Sequence, residues 1–222
     1  MVKICVSIPT TTTTATTEAI RGLTKPDLIE LRLDYATEHL DLEKLRESTS
    51  LPLIATARLP TQGGRWGRGE CERQRLLLSA VESRFDYVDL ETNTVSLCEL
   101  VVRLHEMRAS VIVSSHYLDR TPTLDEMQTA HGKAKRAGAD IVKIVGTATS
   151  PSDNMPCLGY LSLEPGNISF AMGVLGVPSR VLSPLMGGAF TYASASEGET
   201  VAQGQPTLQS LREIYRLLGV VS

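Results

Sequence analysis

Two side chains near the middle of the chain have the types and spacing for carbonyl chemistry. Lys143 lies in GADIVKIV (138–145), a short apolar run that opens on glycine. His116 closes the preceding β-rich run, SVIVSSH (110–116). As neighbouring strands the two runs would lie ~5 Å apart. A free lysine has a pKa near ~10.4, so at pH 7 only about four parts in ten thousand are neutral amine. Burial and neighbouring arginines both disfavour the ammonium form and lower that pKa. A neutral amine attacks a ketone or aldehyde to give a Schiff base. The protonated imine then acidifies the adjacent C–H, and an imidazole with a pKa near ~6.5 suits removal and return of that proton. Plainer readings stand beside this one. Lys143 could be paired with an interior carboxylate such as Glu91, and His116 could be structural. The chemistry alone reaches an imine-forming lyase or aldolase and names no substrate.

Such groups need a scaffold, and the chain alternates strand-like with helix-like runs throughout. The strand candidates are 3–8, 27–34, 51–58, 86–91, 110–116, 140–145, 167–173 and 189–193. Amphipathic segments fill most of the gaps. One is GECERQRLLLSAVES, with Leu76, Leu77 and Val81 at helical spacing. TLDEMQTAHGKAKRAG is capped by Thr123 and stopped by Gly138. SPSDNMPCLGYLSL is a weaker candidate, broken by Pro156, and the closing PTLQSLREIYRLLG carries Pro206 near its first turn. The threonine run 10–14 reads as a loop supplying a helix N-cap. Eight such units in 222 residues predict an α/β fold, a single (β/α)8 TIM barrel spanning 1–222. A doubly wound sheet would want a glycine-rich first turn, and SIPTTTTTATTEAI has none.

Strand alternation then sorts the side chains. In 27–34, Ile29, Leu31 and Leu33 share one face, and Glu30, Arg32 and Asp34 the other. In a barrel the uniformly apolar face meets the helices, so the charged set points inward. The same split gives Tyr87, Asp89 and Glu91, then Ile54, Thr56 and Arg58, then Ile112, Ser114 and His116. Lys143 is ambiguous, because both faces of its strand are apolar. Arg32, Arg58, Glu91 and His116 fall at C-terminal strand ends, where barrel active sites form. Together they predict an arginine-rich pocket for a carboxylate and several hydroxyls.

Composition narrows the partners. With a formal net charge of -3 and no basic patch, nucleic acid is not an expected partner. No run reaches the ~18 apolar residues of a membrane span, and MVKICVSIP is too short in apolar length for a signal peptide. A cytoplasmic location is the resulting expectation. Cys5, Cys71, Cys98 and Cys157 form no C-x-x-C pair and read as reduced thiols. His39, His105, His116 and His131 have no zinc-ligand spacing, so no metal is expected.

Taken together, the motifs resemble the type I 3-dehydroquinate dehydratases, the Schiff-base dehydratases of the shikimate pathway. The matching segments run through the whole chain: ELRLD (30–34), Arg58 followed by the glycine pair 63–64, DLE (89–91), SSHYLDRTP (114–122), GADIVKI (138–144), AMGVLGVPSR (171–180) and GQ (204–205). The resemblance implies that Lys143 forms an imine with the C3 ketone of 3-dehydroquinate. His116 would remove a C2 proton and help the C1 hydroxyl leave, giving 3-dehydroshikimate. Arg180 would hold the substrate carboxylate, and Glu30, Arg32 and Arg58 its hydroxyls. Ser7 and Gln205 would complete the pocket, with Gln62, Glu91 and Met172 in support and residues 194–205 as a lid. No cofactor is implied; a homodimer is.

Two positions depart from the family pattern. Gln62 stands where a glutamate usually hydrogen-bonds the catalytic histidine, so His116 is expected to have a lower pKa than its counterparts in the family. The lid reads Val201-Ala202-Gln203-Gly204-Gln205 in place of Ser/Thr-Ala-Pro-Gly-Gln. Its first hydroxyl is therefore lost or supplied by Thr200, and Gln203 is expected to loosen the lid and weaken KM before kcat. The competing readings are a class I aldolase acting on a phosphorylated sugar and a catalytically silent barrel that binds a partner.

Overall fold

The computed structural model describes residues 2–196, 198 and 201–220. Its strands are β1 (Ile4–Pro9), β2 (Leu28–Arg32), β3 (Leu53–Thr56), β4 (Tyr87–Glu91), β5 (Ser110–His116), β6 (Ile141–Thr147), β7 (Ile168–Met172) and β8 (Thr191–Ser194). They alternate with α1 (Thr13–Gly22), α2 (Leu42–Glu47), α3 (Glu70–Glu82), α4 (Leu97–Glu106), α5 (Leu124–Arg136), α6 (Asn154–Leu163), α7 (Val177–Leu182) and α8 (Leu208–Leu217). All strand pairs are parallel, in the order β7-β6-β5-β4-β3-β2-β1-β8. The sheet thus curls into a nearly closed (β/α)8 barrel. At the β7–β8 seam, the N–H of Ala189 donates to the carbonyl of Asn167 and that of Gly166 to Gly187, each at 2.8 Å.

Two cores follow from strand alternation. Ile29, Leu31, Leu33, Val88, Leu90, Val142 and Ile144 pack outward in a large apolar cluster with helix residues such as Leu77, Leu104 and Leu211. Inside the barrel, Cys5, Leu28, Ile54, Ile112, Val145, Ile168, Phe170, Phe190 and Tyr192 form a smaller apolar cluster. The inward-facing charged groups share this interior.

Several boundaries differ from the sequence reading. β2 stops at Arg32, and Leu33–Tyr35 form a single 3-10 turn. Asp34 therefore leaves the strand face and folds back on Arg32. β3 ends at Thr56, so Arg58 is delivered by the loop after it. Pro156 does not break α6. It occupies the first turn, where its missing N–H has no intrahelical acceptor to lose. Pro206 precedes α8, whose N-cap is Thr207. Thr12 caps α1 from the threonine run, its side chain accepting from the N–H of Ala15.

Thr123 caps α5 in a reciprocal box. Its hydroxyl accepts from the N–H of Glu126 at 3.3 Å, and the Glu126 carboxylate accepts from the N–H of Thr123 at 2.8 Å. Thr123→Ala is expected to cost ~1 kcal/mol. For a chain of this size that corresponds to a Tm lower by about 2–4 °C, readable by calorimetry.

Candidate active site

β5 and β6 pair with Ser114 opposite Lys143 and His116 opposite Val145. Ser114, His116, Lys143 and Val145 all face the barrel interior. Lys143 is 5% exposed, a position in which an ammonium must be compensated. Its Nζ donates to Asp89 Oδ2 at 3.0 Å and lies 3.5 Å from Glu30 Oε1. A third contact is the Tyr192 hydroxyl at 3.1 Å. The lysine is therefore aimed inward. The charged groups nearest its amine are carboxylates, opposite in sign to the expected arginines, and Glu91 is not among them.

A lattice of buried charge holds those carboxylates. Arg58 Nη2 sits 2.6 Å from Asp89 Oδ2, and its Nη1 donates to Ser114 Oγ. Burial works against both charges. Yet Arg58 and Lys143 pull the Asp89 carboxyl well below its usual range, and Asp89 and Glu91 raise Arg58. Glu30 accepts from Ser7 Oγ at 2.7 Å and from Thr56 Oγ1 at 3.0 Å. Arg32 is gripped bidentately by Asp34, at 2.9 and 2.7 Å.

Glu91 has a different place from the expected one. It is not part of the cavity lining. Its carboxylate pairs with Arg73 at 2.5 Å, lies 3.4 Å from Arg58 and accepts from the N–H of Leu59 at 3.0 Å. Arg73 belongs to α3 and is fully buried. It also contacts Glu70 and Thr94.

Gln62 also differs. Its Oε1 accepts from the main-chain N–H of His116 at 2.7 Å, whereas the imidazole Nδ1 is buried with no partner among the described residues. β4 ends level with Ser114, so that N–H lies beyond the ladder on its side, and the side-chain amide takes it up. The 3-10 turn Pro60–Gln62 presents the amide, ending on Gly63 at φ 79°. A Cβ on Gly64 would stand 2.1 Å from the carbonyl oxygen of Arg58, so only glycine lets this turn fold back. The imidazole pKa is lowered well below its ordinary value. The cause is burial, followed by the charges of Arg58 and Lys143.

These elements enclose one cavity, with room for about five waters, that is, for a small molecule. Ser7, Glu30, Arg32, Arg58, Gln62, His116, Lys143, Met172, Arg180 and Gln205 line it, as do Phe170 and Tyr192. Arg180 reaches in from α7, 1% exposed, with its guanidinium 4.1 Å from the centre of the Phe170 ring. Its Nε and Nη2 have no hydrogen-bond partner among the described residues, and neither does Gln205 Oε1. Burial lowers the Arg180 pKa to about 10, still leaving a cation at neutral pH. A buried guanidinium with Nε and Nη2 unpaired among the described residues, lining the same cavity as an unpaired amide oxygen, suits a small anion that also carries hydroxyls.

Residues 201–205 close one side. Val201 and Ala202 line the cavity, and the Gln203 carbonyl accepts from the N–H of Gly173 at 3.1 Å. Gly204, at φ 69°, packs so closely that a Cβ would come 2.3 Å from the Gly173 carbonyl oxygen. The hydroxyl expected from Thr200 falls outside the described residues. Among those described, no group of His, Cys, Asp and Glu is arranged to hold a metal, and no helix is long and apolar enough to cross a membrane.

Fold and cavity together define a barrel enzyme with its site at the C-terminal mouth of the strands, shaped for a small polar anion. The chain belongs to the type I 3-dehydroquinase family, whose model matches residues 4–222. It is 37% identical over 192 residues to the 3-dehydroquinate dehydratase of Dehalococcoides mccartyi, covering 84% of each chain. It is 33% identical over 219 residues to that of Desulfotalea psychrophila, covering 96% of each. The crystal structure of 3-dehydroquinate dehydratase from Geobacillus kaustophilus superposes with a TM-score of 0.89 at 27% identity, over 100% of this chain and 93% of that one.

The sequence reading passed over Asp89, Arg73, Tyr192 and Phe170 as site residues. Asp89 had a signal, its inward parity beside Glu91. Arg73 had none, since an arginine on a charged helix reads as solvated. Replacing Arg73 with leucine strands Glu91, and breaking such a buried pair costs ~3–5 kcal/mol. We expect thermal unfolding of Arg73→Leu about 10 °C below wild type. The exposed neighbour Arg75 serves as control, Arg75→Leu staying within ~0.5 kcal/mol.

Proposed function

We propose that the protein dehydrates 3-dehydroquinate to 3-dehydroshikimate, the third step of the shikimate pathway, through an imine on Lys143. One observation carries this reading. Lys143 and His116 project from adjacent strands into a single small cavity that also holds Arg180, a guanidinium with no carboxylate partner among the described residues. Membership of the type I family supports the dehydratase over an aldolase.

Arg180 takes the substrate carboxylate, with Gln205 accepting from a nearby hydroxyl. This seats the ring with its C3 ketone at Lys143. The amine adds to C3, water is lost, and an iminium forms beside Asp89 and Glu30, whose charges stabilise it. His116 accepts the C2 proton, and the C2–H electron pair becomes the enamine double bond. The enamine then expels the C1 hydroxyl, which leaves as water with the proton held by His116. Hydrolysis of the imine releases 3-dehydroshikimate and restores Lys143. Glu30, Arg32 and Arg58 orient the hydroxyls, with Ser7 fixing Glu30. The segment ending at Gln205 limits premature entry of water. The reading includes the homodimer that the resemblance implies and a cytoplasmic location.

Enone absorbance should grow when 3-dehydroquinate is added to the wild type, and borohydride should trap a substrate-sized adduct on Lys143. Lys143→Ala should do neither; turnover by that variant, or trapping elsewhere, would sink the reading. The lowered pKa of His116 keeps its imidazole neutral, and so basic, to more acidic pH than a free side chain. The acid limb of kcat/KM is therefore expected below pH ~6.5, measured by initial rates from pH 4.5 to 8.

A further inference from the structure

Tyr192 is 3% exposed and lines the same cavity from β8. Its ring stands edge-on to Phe170 at 6.0 Å and tilted against Phe190 at 5.4 Å, so it has little freedom to turn. Its hydroxyl oxygen is 3.1 Å from Lys143 Nζ, and Nζ also lies 4.1 Å from the ring centre. The other two partners of the nitrogen, Asp89 and Glu30, are carboxylates, which when ionised only accept. A phenol can accept from nitrogen and donate its own proton at once. No described residue accepts that proton, and Tyr192 and Lys143 line the same cavity.

We propose that Tyr192 is a catalytic residue of imine formation, relaying a proton from the Lys143 nitrogen to the carbonyl oxygen of the substrate. This rests on the imine reading above. As the neutral amine adds, its lone pair forms the N–C bond and the carbonyl π pair moves onto oxygen. That oxygen takes the O–H proton of Tyr192, while the Tyr192 oxygen takes a proton from the now-cationic nitrogen. The products are a neutral carbinolamine and an unchanged phenol, with no further reactant required. Burial, then the charge of Glu30, raises the Tyr192 pKa well above its ordinary value, which keeps the group a phenol throughout the working pH range. Asp89 is a poor substitute for this relay, because Arg58 and Lys143 hold its carboxyl ionised.

The test is rapid-quench trapping with borohydride, comparing wild type with Tyr192→Phe, which keeps the ring and removes only the oxygen. Formation of the Lys143 adduct should slow by about 100-fold, the scale of a positioned acid–base group, with little change in KM. The isotope effect from 3-dehydroquinate deuterated at C2 should also fall toward one, because addition then limits turnover. Adduct formation at the wild-type rate in Tyr192→Phe overturns the relay and leaves the imine reading intact. Absence of any adduct in the wild type overturns both. Phe190→Leu disturbs the packing of the ring and spares the hydroxyl; an equal loss there assigns the effect to packing and overturns the relay.

Discussion

Placing an ammonium inside a β-barrel is the constraint from which the rest of this structure follows. Lys143 sits where neither sheet face nor bulk water can solvate its charge, so the interior must supply carboxylates. Asp89 and Glu30 do so, and each is held in place by other groups. Arg58 fixes Asp89, while Ser7 and Thr56 fix Glu30. Arg58 comes from a loop and needs its own support, which Glu91 and, behind it, Arg73 provide. The Lys143 nitrogen is thus anchored through successive ion pairs to a helix on the outside of the barrel. Removing any one link would leave a charge stranded in low dielectric, which is why the lattice behaves as a unit.

Around that lattice the fold contributes position more than chemistry. Parallel register sets His116 two residues beyond the Lys143 pair, at the rim. Gln62 secures that rim through the backbone, and the imidazole Nδ1 is left without a hydrogen-bond partner among the described residues. The segment after β8 latches onto Gly173 by a main-chain hydrogen bond and a close glycine contact, bringing Gln205 over the cavity. Loops therefore carry much of the site, and the rigid strands fix where the loops begin.

Much of the arrangement was legible in the sequence because alternation in a closed barrel has only two outcomes. ELRLD, with leucines at one parity and charges at the other, determined which way Glu30 and Arg32 point. SVIVSSH did the same for His116. Legibility failed where periodicity was silent or misleading. Both faces of β6 are apolar, so Lys143 could not be aimed until its partners were known. In DLE both acids share a parity, and only the reach of Arg73 from α3 separates Glu91 from the cavity and leaves Asp89 to the lysine. Tyr192 lay hidden in AFTYA, where an aromatic reads as core, and Phe170 likewise in NISFAMG. Gln62 was expected to touch the imidazole and instead satisfies the peptide, a choice that depends on where β4 stops. Pro156 shows the converse: a breaker by type is harmless when it falls in a first turn.

Arg180 has a consequence of its own. Among the described residues, every other cation in the interior wall lies against an acid of the protein, whereas Arg180 has none. A guest bearing a single carboxylate would supply the counter-charge that Arg180 lacks. A phosphate monoester, with close to two charges, would overshoot and leave the interior anionic around a lysine already flanked by acids. Such a wall would favour a guest of one negative charge over a guest of two, before any hydroxyl is read.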